Sequence, residues 1–150
     1  MSELRELYQE VILDHNRKPH NFGVLEDATG SAEGYNPLCG DQVSVMIHVE
    51  NGRIEDLHFT GTGCAISVAS ASLMTDCVKG KSLAEVEKIA EQFNQMVTSE
   101  YDPEWEDDEM LGLNALAGVR EFPIRVKCAT LPWRTLEAAL LDPRSLVSTE

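Results

Sequence analysis

Three cysteines and one aspartate carry the strongest chemical signal in this chain. Cys39 and Asp41 stand in C-G-D, Cys64 closes G-T-G-C, and Cys128 is the centre of K-C-A. No two cysteines form a C-x-x-C pair, the spacing of a local zinc knuckle or a dithiol redox centre. Ligands dispersed between residues 39 and 128 need a folded scaffold to unite them. Three thiolates and one carboxylate suffice to close a tetrahedral metal site, with the carboxylate as the harder and weaker ligand. A weak ligand points to a site able to open.

The positions of these residues support that reading. Gly40 lets the backbone bend so that Cys39 and Asp41 can face one ion. Cys64 falls where a strand gives way to a helix, and helix N-termini favour the thiolate. Cys128 falls near the start of the last helix, with Arg125 one turn earlier and Lys127 beside it, two cations that favour a thiolate there. The plainer readings are a turn cap for Asp41 and core filling for the cysteines. Cys77, thirteen residues beyond Cys64 in the same helix, faces away and reads as a small buried hydrophobe.

The elements that must position these groups are legible from periodicity. Leu4, Leu7, Tyr8, Val11 and Ile12 mark an amphipathic helix over residues 3–15 that ends before Pro19. Residues 31–35 suit a short strand, and alternating Val43, Val45, Ile47 and Val49 predict a strand over 42–49. Leu57 and Phe59 mark the next strand. A three-residue loop, Glu50-Asn51-Gly52, would pair Val45 with Leu57 and Val43 with Phe59, with Gly52 as a left-handed bulge residue. Small side chains over 65–77 predict a helix able to pack closely on the sheet. Ser82 and Glu85 form a capping box opening a helix to about Val97. Residues 98–109 read as an acidic loop, 111–116 as a short helix, and a last helix falls between Pro123 and Leu141. The order predicts an α+β fold: a small three-stranded antiparallel sheet covered by helices on one face.

Bulk properties narrow the function. At 150 residues the chain suits one domain with a sizeable core. A formal net charge of −14 argues against nucleic acid and anionic membrane surfaces as partners, and for a basic patch on a protein. No apolar run reaches membrane-span length, and the N-terminal segment lacks the apolar core of a signal peptide, so the expected location is cytoplasmic. In a reducing compartment four cysteines favour metal binding or thiol chemistry over disulfides.

Four stretches resemble the U-type iron–sulfur cluster assembly family: LYQEVILDHNRKPHNFG, NPLCGD, FTGTGCAISVASASLMTDCVKGKS and RVKCATLPWRTLE. The chain is similar to that family over nearly its whole length, as a single domain over 1–150, and most resembles its SufU branch. An extra segment at about 95–118 separates Gly80-Lys81-Ser82 from the last cysteine. Lys127 stands where IscU-type scaffolds usually carry histidine, and Phe122-Pro123-Ile124-Arg125 replaces their chaperone-docking motif.

The resemblance implies a SufE/NifU-like fold and Cys39, Asp41, Cys64 and Cys128 as ligands of Zn2+. It also implies a zinc-dependent sulfur acceptor serving a pyridoxal-phosphate cysteine desulfurase and, downstream, other iron–sulfur assembly proteins. Zinc holds thiolates without oxidising them, and a released thiolate attacks a persulfide by exchange. The expected mechanism is ligand exchange: a partner side chain takes one zinc position and frees a cysteine. Cys39 is the expected acceptor, since its loop moves without unravelling an element, and Arg125 is a candidate contact for the persulfide or the partner. Two other readings stand beside this one. In the first, the chain is a scaffold holding a nascent iron–sulfur cluster on the same residues. In the second, it is a structural zinc module that only binds a partner.

The remaining polar and aromatic residues have plainer readings. His48 and His58 read as solvated, His15 and His20 as a helix C-terminal cap or docking surface. Tyr8, Phe22, Trp105 and Trp133 read as packing residues. Pro132 either kinks the last helix beside the site or marks its start near Leu131.

Overall fold

A computed structural model describes residues 2–105, 107–141 and 145–148, with the side chains at 2–5, 7, 109 and 145–148 outside that description. The expected placement of Leu4 and Leu7, and of Glu106 and Glu109 in the acidic run, therefore lies outside the described residues. The elements run α1 (Ser2–Arg17), β1 (Gly30–Asn36), β2 (Asp41–Glu50), β3 (Arg53–Thr62), α2 (Ala65–Val78) and α3 (Leu83–Thr98). They continue with a 3-10 segment (Asp108–Glu121), α4 (Pro123–Leu141) and β4 (Ser145–Ser148).

Alternation sets the sheet. Val43, Val45 and Ile47 are buried on one face of β2, while Gln42 is exposed on the other. Ile54, Leu57 and Phe59 of β3 are fully buried against the same core. Each such side chain contributes roughly 1.5–3 kcal/mol through burial. β1, β2 and β3 form the expected antiparallel sheet. The short β4 adds to β1 in parallel, giving the order β3-β2-β1-β4.

The hairpin differs from the sequence expectation. Its loop is the two residues Asn51 and Gly52, both at positive φ (55° and 74°), between paired Glu50 and Arg53, as in a type I′ turn. The register then shifts between His48 and Val49, leaving Glu55 without a partner opposite. Beyond this bulge Val45 faces Phe59 and Ile47 faces Leu57, so Val45 does not face Leu57 and Val43 does not face Phe59. The bulge restores the face that the sequence reading assigned to a longer loop. It also explains how Ile54 and Leu57, three residues apart, share one side.

The helices cover one face. α4 lies across β1 and β2, and α2 is held between α1 and α4 and reaches the sheet at β3. Ala69, Ser70, Ala71 and Ser72 are all buried in α2. Their small volume allows helices on both sides to approach, which extends the expected packing on the sheet. Cys77 lies in the core, as expected. Ser82 and Glu85 make both hydrogen bonds of a capping box at α3.

The short helix expected over 111–116 is a longer run of 3-10 turns, Asp108–Glu121. Met110, Leu113, Leu116 and Val119 are buried at a spacing of three, the period of a 3-10 helix. Gly112 and Gly118 weaken the α-helical alternative. α4 starts with Pro123 at its first position, where a missing N–H costs nothing. The helix continues through Pro132, so it does not begin near Leu131. Around that proline, Ser70 Oγ donates to the Ala129 carbonyl at 2.6 Å and Thr135 Oγ1 to that of Leu131 at 2.7 Å. Trp133 Nε1 donates to Ser70 Oγ at 3.2 Å, and the indole stacks on Phe93. Among the described residues no helix is long and apolar enough to cross a membrane.

Candidate metal centre

The β1–β2 connection places two of the four predicted ligands. Asn36 and Asp41 pair across the hairpin, and Pro37, Leu38, Cys39 and Gly40 form its loop. Gly40 adopts φ +71°, the bend expected between Cys39 and Asp41. Cys64 is the N-cap residue of α2, and Cys128 lies in the second turn of α4. Hairpin, helix start and helix flank meet at one end of the sheet.

The ligand atoms of Cys39, Asp41 and Cys128 lie within 4.8 Å of one another. The Cys64 thiol is near enough to raise the Cys128 thiol electrostatically, and the Cys64 N–H donates to Asp41 Oδ1 at 2.8 Å. All four predicted residues are thus neighbours, with the Cys64 side chain at the edge of the tighter triad. Zinc–sulfur bonds of about 2.3 Å set tetrahedral sulfurs about 3.8 Å apart, so closure of the triad asks for shifts of about 1 Å or less. The donor set fits zinc, and it equally fits the irons of a cluster.

Burial grades the ligands. Asp41 and Cys128 are buried, while Cys39 and Cys64 are partly exposed. Burial pushes the Cys128 thiol well above its ordinary range, and its contacts with Asp41, Cys39 and Cys64 add to the effect. This corrects the expectation that Arg125 and Lys127 make it a thiolate. Neither cation is among the groups that shift it, and a bound metal ion is what would ionise this thiol. Arg125 is exposed in the first turn of α4, its guanidinium 4.7 Å from the Phe122 ring centre. It closes one end of a groove of about 430 Å³ lined by Tyr8, Ile12, Ile66 and Phe122.

Two residues of the centre escaped the sequence reading. Asn36 is fully buried, and its Nδ2 donates to Asp41 Oδ2 at 3.1 Å and to Cys128 Sγ at 3.6 Å. Its Oδ1 is buried without a partner. Gly63, at φ +142°, lies so close to Asp41 that a methyl group there would collide with the carboxylate. The G-T-G-C motif carried that signal, as a glycine just before a ligand.

Residues 7–129 match the NifU-like N-terminal domain. The chain belongs to that family. The U-type resemblance drawn from the motifs is therefore borne out, and the α+β fold agrees with it. The chain is 41% identical over 140 residues to the iron–sulfur cluster assembly scaffold protein IscU of Streptococcus pyogenes serotype M1, covering 93% of this chain and 86% of the relative. It is also 41% identical over 137 residues to the zinc-dependent sulfurtransferase SufU of Bacillus subtilis strain 168, covering 91% and 90%. A solved structure from Fervidobacterium islandicum AW-1, described as an iron–sulfur cluster assembly scaffold protein for the SUF system, superposes with a TM-score of 0.78. It is 34% identical, over 87% of this chain and 94% of that one. Relatives named IscU and SufU are equally similar in the NifU-like family, so identity alone does not choose between branches.

Proposed function

We propose that this chain is a zinc-dependent sulfur acceptor in iron–sulfur cluster assembly, charged by a pyridoxal-phosphate cysteine desulfurase in the cytoplasm. The observation that carries the reading is the unequal anchoring of the thiols. Cys39 sits alone on a four-residue hairpin loop, partly exposed, while Cys128 is buried in α4 and Cys64 is tied to Asp41. Bound zinc would be held by Cys39, Asp41, Cys64 and Cys128, keeping the sulfurs deprotonated without redox chemistry.

The transfer itself belongs to Cys39. Its thiolate attacks the terminal sulfur of the desulfurase persulfide. A new S–S bond forms on Cys39, the persulfide S–S bond breaks, and the desulfurase cysteine leaves as a thiolate. No external oxidant or reductant is consumed. Arg125 lines the groove between α1 and the 3-10 segment, and its role in this reading is a contact to the partner or the persulfide anion. Asp102 and Asp107 of the acidic segment are paired with Arg120 and Lys81, which anchors that segment.

The test is to mix the purified chain with a cysteine desulfurase and cysteine, then locate the persulfide by mass spectrometry. A persulfide on Cys39, lost in Cys39→Ala, supports the reading; full-rate acceptance by Cys39→Ala refutes it. The equal similarity to IscU-named relatives favours a second reading, a scaffold on which a cluster is built on the same four residues. Colourless protein holding one zinc per chain supports sulfur acceptance, and brown protein with bound iron and sulfide supports the scaffold.

A further inference from the structure

Away from the thiols, one other group of ligand-type side chains converges among the described residues. His15 lies in the last turn of α1, His20 just past Pro19, and Asp76 in the last turn of α2. One ligand atom of each lies within 4.8 Å of the other two. The two rings are 4.5 Å apart between centres and inclined by 46°. His20 Nδ1 meets Asp76 Oδ2 at 2.5 Å. The histidines therefore face α2; the sequence reading offered a cap for α1 or a docking surface.

An outer layer orients all three. Ser72 Oγ lies 2.7 Å from His15 Nδ1 and accepts the His20 backbone N–H at 2.8 Å. Asn21 Nδ2 donates to Thr75 Oγ1 at 3.0 Å and to Asp76 Oδ1 at 3.3 Å. Metal-binding histidines and carboxylates are typically fixed by such partners. Burial, reinforced by His20, holds His15 below the usual imidazole range, which favours its neutral, ligand-competent form.

We propose that His15, His20 and Asp76 form a second cation site, for a zinc-class divalent ion, that clamps the chain leaving α1 onto α2. Two imidazoles and one carboxylate suit Zn2+, Co2+ or Ni2+ better than Mg2+ or Ca2+, which favour all-oxygen shells. The ion takes the place of the proton between His20 and Asp76 and leaves a position for water. The net charge of −14 concentrates cations at the surface.

The experiment is a Zn2+ titration of the untagged full chain to two equivalents, followed by long-range 1H–15N spectra of the imidazole rings. The expected result is a shift of the His15 and His20 ring nitrogens, with His48 and His58 unmoved. In His20→Ala and Asp76→Asn the site weakens by about tenfold or more, since losing a ligand costs at least what losing an outer-layer partner does. Circular dichroism checks that both variants fold. The proposal is overturned if His15 and His20 stay unmoved at two equivalents, if His48 or His58 respond instead, or if both folded variants keep the wild-type response.

Discussion

The Asn36 amide nitrogen lies 3.6 Å from the Cys128 sulfur, bridging two segments ninety-two positions apart in the chain. The same nitrogen holds Asp41. Meanwhile its oxygen is buried without a partner, which costs about 1–3 kcal/mol. Fold stability alone gives little reason for asparagine there, whereas a role in setting two ligands does. Asn36→Leu should therefore retain the fold by circular dichroism yet bind zinc about 10–100-fold more weakly, the usual effect of losing an outer-layer partner. Competition against a chromogenic chelator measures this, and an affinity within twofold of wild type would remove Asn36 from the centre.

Gly63 and Gly40 offer a matched pair. Both have positive φ, +142° and +71°, but only a methyl at Gly63 meets the Asp41 carboxylate. Gly40→Ala should cost about 1–2 kcal/mol of backbone strain and leave the ligands in place. Gly63→Ala adds the collision, so its melting temperature should fall further and its zinc affinity with it. Equal behaviour of the two variants in thermal unfolding and zinc competition would show that the collision is relieved without moving Asp41.

The candidate ligand residues are more legible in the sequence than their surroundings. Cysteines and an aspartate flanked by glycines announce themselves by type, and the β2 alternation and the Ser82–Glu85 box are local signals that the fold obeys. The hairpin register was misread because Leu57 and Phe59 were counted without Ile54, whose offset spacing encodes the bulge. The helix expected over 111–116 is present as part of a longer 3-10 run, whose spacing of three extends to Met110 and Val119 beyond those bounds. Asn36 and the Cys128 thiol depend on burial, which no local pattern prints. The charge of Lys127 was visible and the desolvation of Cys128 was not.

Deprotonation of the ligating thiols sets the pH dependence of metal loading. Burial shifts the Cys128 thiol further toward its protonated form in the metal-free chain. Binding zinc must displace that proton, so affinity should rise with pH by about tenfold per unit for each proton released. Zinc titrations in buffers of different ionisation enthalpy count the protons. A flat affinity between pH 6.5 and 8 would mean that the thiols do not ligate as thiolates, and Cys128→Ser should release one proton fewer than wild type. Stripping the metal with a chelator should likewise take up protons and lower the melting temperature, because the ion binds only the folded arrangement.

His15 predicts a separate pH effect on the fold, measured with chelator present. Burial depresses its basicity, His20 adds repulsion, and Asp76 and Asp14 oppose them without prevailing. Between the depressed folded value and the ordinary 6.5, the unfolded chain therefore holds more protons than the folded one. Stability must rise with pH across that window and fall as the solution is acidified through it. His48 has the opposite shift, raised by its bond to the Asp27 carbonyl, so its contribution is present at low pH and fades as pH rises through the folded value. Comparing wild type with His15→Gln cancels His48. Urea midpoints from pH 7 to 5 should decline less steeply in the variant, and parallel slopes would show that protonating His15 costs the folded state nothing.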